Sequence, residues 1–394
     1  MQGFADSLLH GGLLTGMPVE LGYALVVALF AFLVLNFIML NAGIFSWAER
    51  RIWARIQSRV GPNRVGPQGF LQWLADGLKN IMKEDLIPEE ADAPLFKAAP
   101  YLAMMGFFAA FAALPFAQGV IVADLNVGIL YITAVTALVV VGILMAGWSS
   151  NNKWALLGGI RSAAQIISYE IPAGLAVVTV VIYSGTLSMQ GIIEQQGWAP
   201  WNWYMFSNPF LLIAFFIFFV SLLAEGNRTP FDLPEAESEL VAGAFTEYSG
   251  LRNLLFFLVE WGNLYVIGAI CATLFLGGWQ VPAFTENAVL LGIAQCLSFF
   301  IKTYFLVFLC MWIRGTLPRV RVDQLMTLCW KYLVPMTFVN LICAMLYFVL
   351  FPQGNLLVSL TLFGLGVGVV VYFFRRVAFH LRRAKPEIHV SPFI

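Results

Sequence analysis

Charge is scarce in this sequence. Only 11% of its 394 residues are Asp, Glu, Lys or Arg, against roughly a quarter in an ordinary soluble domain. A chain of this length cannot cover a globule with so few polar groups, which excludes a water-soluble fold and leaves lipid as its solvent. Net charge is absent too, with 22 basic and 22 acidic residues, so no global bias points to nucleic acid. Histidine is confined to His10, His380 and His389, near the two ends, which removes the usual haem, zinc and catalytic-triad arrangements. The five cysteines at 271, 296, 310, 329 and 343 include no close pair, whereas iron–sulfur and zinc ligation usually shows one, such as C-x-x-C. They read as small hydrophobes in a membrane core, and the chain is expected to bind no metal and no cofactor by itself. The first 20 residues lack Lys and Arg, so the basic region of a cleavable signal peptide is missing and the first apolar run reads as a retained helix. No G-x-x-x-x-G-K-[ST] sequence occurs, which excludes ATP-driven transport through a phosphate-binding loop.

What is present is apolar length: 60% of residues are hydrophobic and mean hydropathy is +0.82. A spanning helix needs about 20 such residues. The sequence predicts an all-α integral membrane protein of about nine spans, at 20–47, 99–119, 127–147, 164–187, 209–225, 253–277, 288–313, 332–351 and 355–374. Pro115 and Pro172 are expected inside two of them, as membrane helices tolerate. Alternate loops, 48–98, 148–163, 226–252, 314–331 and 375–394, carry 21 of the 22 basic residues. The remaining one, Lys302, falls within the seventh span. Excess Lys and Arg mark the inside face, which predicts an outside N-terminus and an inside C-terminus. Of the outside loops, 188–208 is the long one and is rich in Trp, as suits an interfacial segment.

The informative polar sequence is therefore on the inside. Loop 48–98 begins with Glu49, Arg50, Arg51, Arg55 and Arg59, turns sharply at two Gly-Pro steps ending in Pro62 and Pro67, then reads GFLQWLADGLKNIMKED. Phe70, Trp73, Leu74, Leu78, Ile81 and Met82 share one helical face, with Gln72, Asp76, Lys79 and Lys83 on the other. This is an amphipathic helix on the membrane surface or beneath a partner. Loop 226–252 with its flanking Glu225 carries Glu225, Asp232, Glu235, Glu237, Glu239 and Glu247 against Arg228 and Arg252. Glu235 and Glu239 share a helical face and repel, and crowding near Phe231, Leu240 and Phe245 raises carboxyl pKa values. A merely solvated acidic loop has no use for those apolar residues. Arg314, Arg319 and Arg321 either anchor helix ends to lipid head groups or face these carboxylates, and charge balance favours the second.

Ionisable groups deep in the spans are the sharpest signal. Glu170 follows Arg161 by about 13 Å of helix rise, Glu260 follows Arg252 by about 12 Å, and Lys302 precedes Arg314 by about 18 Å. A charge at such depth costs about 3 kcal/mol on insertion scales. Three of them require a wet, protein-lined interior, most simply an ion or proton path. The competing expectation is a structural ion pair such as Lys302 with Glu260.

Taken together, ERRIWARIQSRVGPNRVGPQGFLQWLADGLKNIMKED, SAAQIISYEIPAGL, LAEGNRTPFDLPEAESELVAGAFTEYSG and IRGTLPRVRVDQLM resemble the H-type subunit of NADH:quinone oxidoreductase, called subunit 1 in mitochondria. The likeness runs from about residue 20 to about residue 351 and makes residues 1–351 an eight-span membrane domain. Residues 352–394, a further span and basic tail, go beyond most relatives. The G-x-G-x-G of Gly364, Gly366 and Gly368 in that span fits helix packing better than nucleotide binding.

The resemblance implies a membrane subunit under the peripheral arm that completes a quinone-reduction chamber. It implies a chamber floor and entrance at Glu49, Arg50, Arg59, Trp73 and Asp76, with Arg314 close by. It implies an acidic coupling loop at Asp232, Glu235, Glu237 and Glu239, and a proton path through Glu170, Glu225, Glu247, Glu260 and Lys302. Quinone is the implied substrate. NADH, FMN and iron–sulfur clusters, including the terminal [4Fe-4S] cluster, belong to partner subunits, and small membrane subunits and antiporter-like subunits are further partners. The implied location is a bacterial inner (plasma) membrane. Two rivals remain on the sequence: the same scaffold in a membrane-bound hydrogenase or formate-oxidising complex, and a stand-alone secondary transporter, whose inverted repeats and broken midplane helices are not evident here.

Overall fold

A computed structural model of the chain describes residues 19–233, 237–282, 284, 287–351 and 356–383. Ten longer helices organise the described residues: α1 (Val19–Ile56), α2 (Gln72–Met82), α3 (Ala93–Ala110), α4 (Gly128–Ser149), α5 (Lys153–Ser184), α6 (Pro209–Glu225), α7 (Gly250–Phe275), α8 (Ala288–Thr316), α9 (Val322–Leu350) and α10 (Leu356–Arg383). Among the described residues, eight are long and apolar enough to cross a membrane, and α6, at 17 residues, is a shorter apolar helix. Its rise of about 25 Å falls at the lower limit for a span. The protein is an all-α integral membrane protein.

Backbone groups in lipid must be satisfied within the segment, and the ends are built accordingly. The side chains of Asn152, Asn208 and Asn287 each accept a backbone N–H in the first turn of α5, α6 and α8. Small residues bring helices together where no hydrophobic effect can. A Cβ on Gly142 of α4 would stand 2.8 Å from Ala103 of α3, so the two backbones touch there. The most enclosed span is α7, of which 61% is buried within the protein; α10 is the least, at 6%. Aromatic rings from α1, the turn after α3, α7 and α8, including Phe37, Phe111, Tyr265 and Phe300, pack edge and face around the core.

The helices overrun the expected borders on the polar side. The first extends to Ile56 rather than 47, the fourth begins at Lys153 rather than 164, the seventh runs to Thr316, and the eighth starts at Val322. Glu49, Arg50, Arg161 and Arg314 are therefore on rigid helix instead of loop. Hydropathy misses these turns because their polar residues meet protein rather than lipid. In the other direction, α3 and its 3-10 turn end at Ala113, so Pro115 lies beyond the helix and not inside it. Pro172 is inside α5, and a π-helical segment interrupts α9 at Leu328–Leu333.

Candidate functional site

The site grows from the chain just past α6. Gly226 N–H donates to Leu222 O, Asn227 turns with φ 49°, and Arg228 N–H donates to Leu223 O. That tight turn folds Arg228 back under α6. Phe231 and Leu233, 5% and 2% exposed, pin the following segment in the core. From α5, buried Gln165 donates to the carbonyls of Ala224 and Phe231, both at 2.7 Å. On the other side, Val320 N–H donates to Pro230 O. This is a held segment, as its apolar residues imply, and no loosely solvated loop.

Around it stands a buried charge cluster. The Arg228 guanidinium, 1% exposed, is 3.3 Å from Glu49 of α1 and 3.1 Å from Glu260 of α7, and lies 4.4 Å over the Trp261 ring. Arg314 of α8 is 2.6 Å from the other Glu49 oxygen and 4.0 Å from Glu260, with its guanidinium over Trp53. Asp232 meets Arg319 at 3.4 Å. Three carboxylates thus face three guanidiniums. Burial raises the Asp232 carboxyl above the usual range despite the opposing pull of Arg314 and Arg319. Of the two readings for the arginines, Arg314 and Arg319 face carboxylates of this cluster, while Arg321 pairs with its near neighbour Asp323.

Next to the cluster, Glu170 of α5 and Glu225 of α6 line one cavity of about 370 Å³ with Thr133, Thr136 and Asn263 among apolar walls. That volume holds roughly ten waters. Asn263, which lines the cavity, lies three residues beyond Glu260 on α7, so the two share a helix face. Glu247 sits elsewhere: it accepts a hydrogen bond from Asn152 and lines an open groove with Glu89, Glu90 and Lys153. Glu239 pairs with Arg161 at 2.8 Å. Glu235 lies outside the described residues, as does the side chain of Glu237.

The amphipathic helix is α2. Trp73 packs so closely on α1 that a Cβ at Gly43 would stand 2.5 Å from its ring. Asp76 accepts from Arg50 at 2.5 Å and from Gln72 at 3.0 Å, while Leu74, Leu78, Ile81 and Met82 are exposed. Arg59 is not drawn in; it is exposed, and its guanidinium donates to Gln57, two residues back, at 2.6 Å.

Lys302 does not join the carboxylates. Its ammonium donates to Gly278 O at 2.9 Å and lies 4.8 Å over the Trp203 ring, in the loops away from the charge cluster. The alternative Lys302–Glu260 pair does not form: Glu260 lies beside Arg314, about 18 Å of helix rise from Lys302, and pairs with Arg228. Arg228, Gln165, Trp261 and Asn263 are residues of this site that sequence reasoning passed over. Arg228 alone carried a signal, as one of two cations in a strongly acidic segment.

Among the described residues, no group of three or more His, Cys, Asp or Glu side chains is placed to hold a metal ion. The sequence model of the NADH dehydrogenase family matches residues 29–345. The H-type subunit of NADH-quinone oxidoreductase from Anaeromyxobacter dehalogenans is 58% identical over 339 residues, covering 82% of either chain. Subunit 8 of the Rhodothermus marinus enzyme is 49% identical, covering 82% of this chain and 97% of that one. The H-type subunit from Chlorobium luteolum is 45% identical over 86% of this chain and 91% of its own. With a buried charge cluster and a carboxylate-lined cavity inside an apolar helix bundle, and with likeness of this extent, the chain belongs to the NADH dehydrogenase family of membrane subunits, that of the H-type subunit of NADH-quinone oxidoreductase (respiratory complex I).

Proposed function

We propose that this chain forms part of the quinone-reduction chamber of the complex and couples quinone reduction to proton translocation without carrying electrons itself. What supports this most is that Glu260 of the Glu49–Arg228–Glu260–Arg314 cluster stands one helical turn from Asn263, which lines the cavity of Glu225 and Glu170. Quinone is the substrate; NADH, FMN and the iron–sulfur clusters reside on partner subunits, and the terminal [4Fe-4S] cluster of a peripheral-arm subunit delivers the electrons. The chamber wall is α1 and α2, with Trp73 seated on Gly43 and Asp76 held by Arg50; Glu49 and Arg314 lie deepest and Arg59 at the rim.

Reducing a quinone to quinol consumes two electrons and two protons. The six groups of the cluster balance in charge, so negative charge arriving beside them is compensated by proton uptake or by movement of the 226–247 segment. Asp232, already raised by burial, is the group poised to take a proton. Neutral Asp232 releases Arg319, and the segment carrying Glu235, Glu237 and Glu239 shifts with it. The field change reaches Glu260, and protons redistribute among the waters between Glu225 and Glu170, on toward antiporter-like subunits. Glu247 supplies protons from the open groove. Lys302, bound to Gly278 and Trp203, closes the far end.

The basic residues set the polar loops on the inside of a bacterial plasma membrane, with the N-terminus outside and the C-terminus in the cytoplasm. Neither rival scaffold is favoured by any observation above. The test is Glu235→Ala and Glu237→Gln in the assembled enzyme, assayed for quinone reduction and for proton pumping in proteoliposomes. Impaired pumping is expected in each; unchanged reduction and pumping in both overturns the coupling role.

A further inference from the structure

The tenth helix has a feature that quinone chemistry leaves unused. α10 packs on the bundle along α6, where Gly366 meets Pro209 and Ile213 and Phe374 packs on Phe216 at 6.2 Å. α9 touches α6 on a neighbouring face: Asn340 donates to Phe210 O, and the Phe210 and Tyr347 rings are 5.9 Å apart. Residues 209, 213 and 216 lie about 100° around α6 from residue 210, so an apolar cleft floored by α6 runs between α9 and α10.

One end of the cleft is basic and aromatic. Arg375 and Arg376 are exposed on α10. Arg376 Nε donates to the Tyr372 hydroxyl at 3.1 Å, and its guanidinium is within electrostatic range of Tyr332 across the cleft on α9. Exposed Lys331 and Trp330 precede Tyr332 in the chain. Matching Gly366 to residues 209–213 and advancing ten residues puts Arg376 about 6 Å short of the Glu225 end of α6. That is the acidic-segment side, at the depth where lipid phosphates meet the hydrocarbon.

Among the described residues, the helices that form the cleft offer these cations no carboxylate. α10 contains no Asp or Glu, the single acid of α6 is Glu225, which faces the internal cavity, and the single acid of α9 is Asp323, which pairs with Arg321. Trp and Tyr beside Lys and Arg are the composition of a membrane interface, and basic pockets between membrane helices bind anionic head groups. We propose that the cleft between α9 and α10 is a site for an anionic phospholipid. Arg375, Arg376 and Lys331 hold the phosphate, Tyr332 and Tyr372 flank it, and the acyl chains run along the apolar groove between the two helices. The occupant is lipid and not a partner helix, because an apolar helix would leave three cations unanswered.

The experiment reconstitutes the full chain in phosphatidylcholine nanodiscs doped with spin-labelled phosphatidylglycerol or spin-labelled phosphatidylcholine, and reads the motionally restricted fraction by electron paramagnetic resonance. The wild-type chain is expected to hold phosphatidylglycerol several-fold over phosphatidylcholine. R375Q/R376Q should abolish most of that preference, given the attraction of each cation to an anionic surface, and K331Q should weaken it less. Exposed Lys153, on the acidic-segment side but far from the cleft, serves as control, and K153Q should leave the preference intact. If R375Q/R376Q does not insert, the single variants R376Q and K331Q decide. A preference unchanged in R376Q and K331Q, or lost equally in K153Q, overturns the site.

Discussion

Replacing Arg228 by Met keeps most of the side-chain volume and removes the charge that bridges α1 and α7. Arg228 is 1% exposed and within 3.3 Å of both Glu49 and Glu260. Without it, Glu49 keeps Arg314 at 2.6 Å, while Glu260 keeps a 4.0 Å contact with the same arginine. Three carboxylates then face two guanidiniums in a buried site. Removing one partner of a buried ion pair costs about 3–5 kcal/mol, because the other charge stays behind unanswered. A second change, Glu260→Gln, removes the surplus charge, so Arg228→Met/Glu260→Gln should recover about 2 kcal/mol relative to additivity. The assay is unfolding of the full chain in mixed micelles as a double-mutant cycle, with quinone reductase activity of the assembled complex measured in parallel. If Arg228→Met unfolds within about 0.5 kcal/mol of wild type, or the two changes simply add, the cluster is not held by Arg228 and the reasoning fails.

The remaining predictions concern the supports of the same site. Gly43→Val should push Trp73 off α1, since even a Cβ there meets the indole at 2.5 Å; KM for quinone should rise several-fold with the chain still folded. Gln165→Leu strands the carbonyls of Ala224 and Phe231, at about 1–3 kcal/mol each, and should raise hydrogen exchange across residues 226–233. Burial makes folded Asp232 hold its proton to higher pH than the unfolded chain does. Its contribution to stability is therefore greatest in acid and is lost as pH rises from about 4, the ordinary Asp value, through the raised one. Asp232→Asn should flatten that slope in a thermal-unfolding series, and an unaltered slope would contradict it.

The spans were legible because lipid demands apolar length, and α6 begins and ends at the expected residues 209 and 225. The polar ends were less so. Glu49 and Arg314 look like loop residues by hydropathy, yet each stands on helix because its partner is another helix's charge, and no linear window sees a partner so far along the chain. Glu170 could be marked as a buried acid from depth alone, while Glu225 read as the flank of the acidic loop, and their shared cavity depends on how α4, α5, α6 and α7 pack. Lys302 shows the limit: position along its helix placed it near mid-membrane, and its long side chain reaches Gly278 and Trp203 instead. Arg228 was missed because its importance comes from a turn, with Asn227 at positive φ, that folds it beneath α6.

The most direct test of the coupling claim is the number of protons translocated per quinone reduced by the assembled complex in proteoliposomes carrying Glu225→Gln. The account predicts a lower ratio, with residual quinone reduction no longer slowed by an opposing proton gradient. A wild-type ratio, at a wild-type rate and with the gradient still slowing reduction, would contradict it.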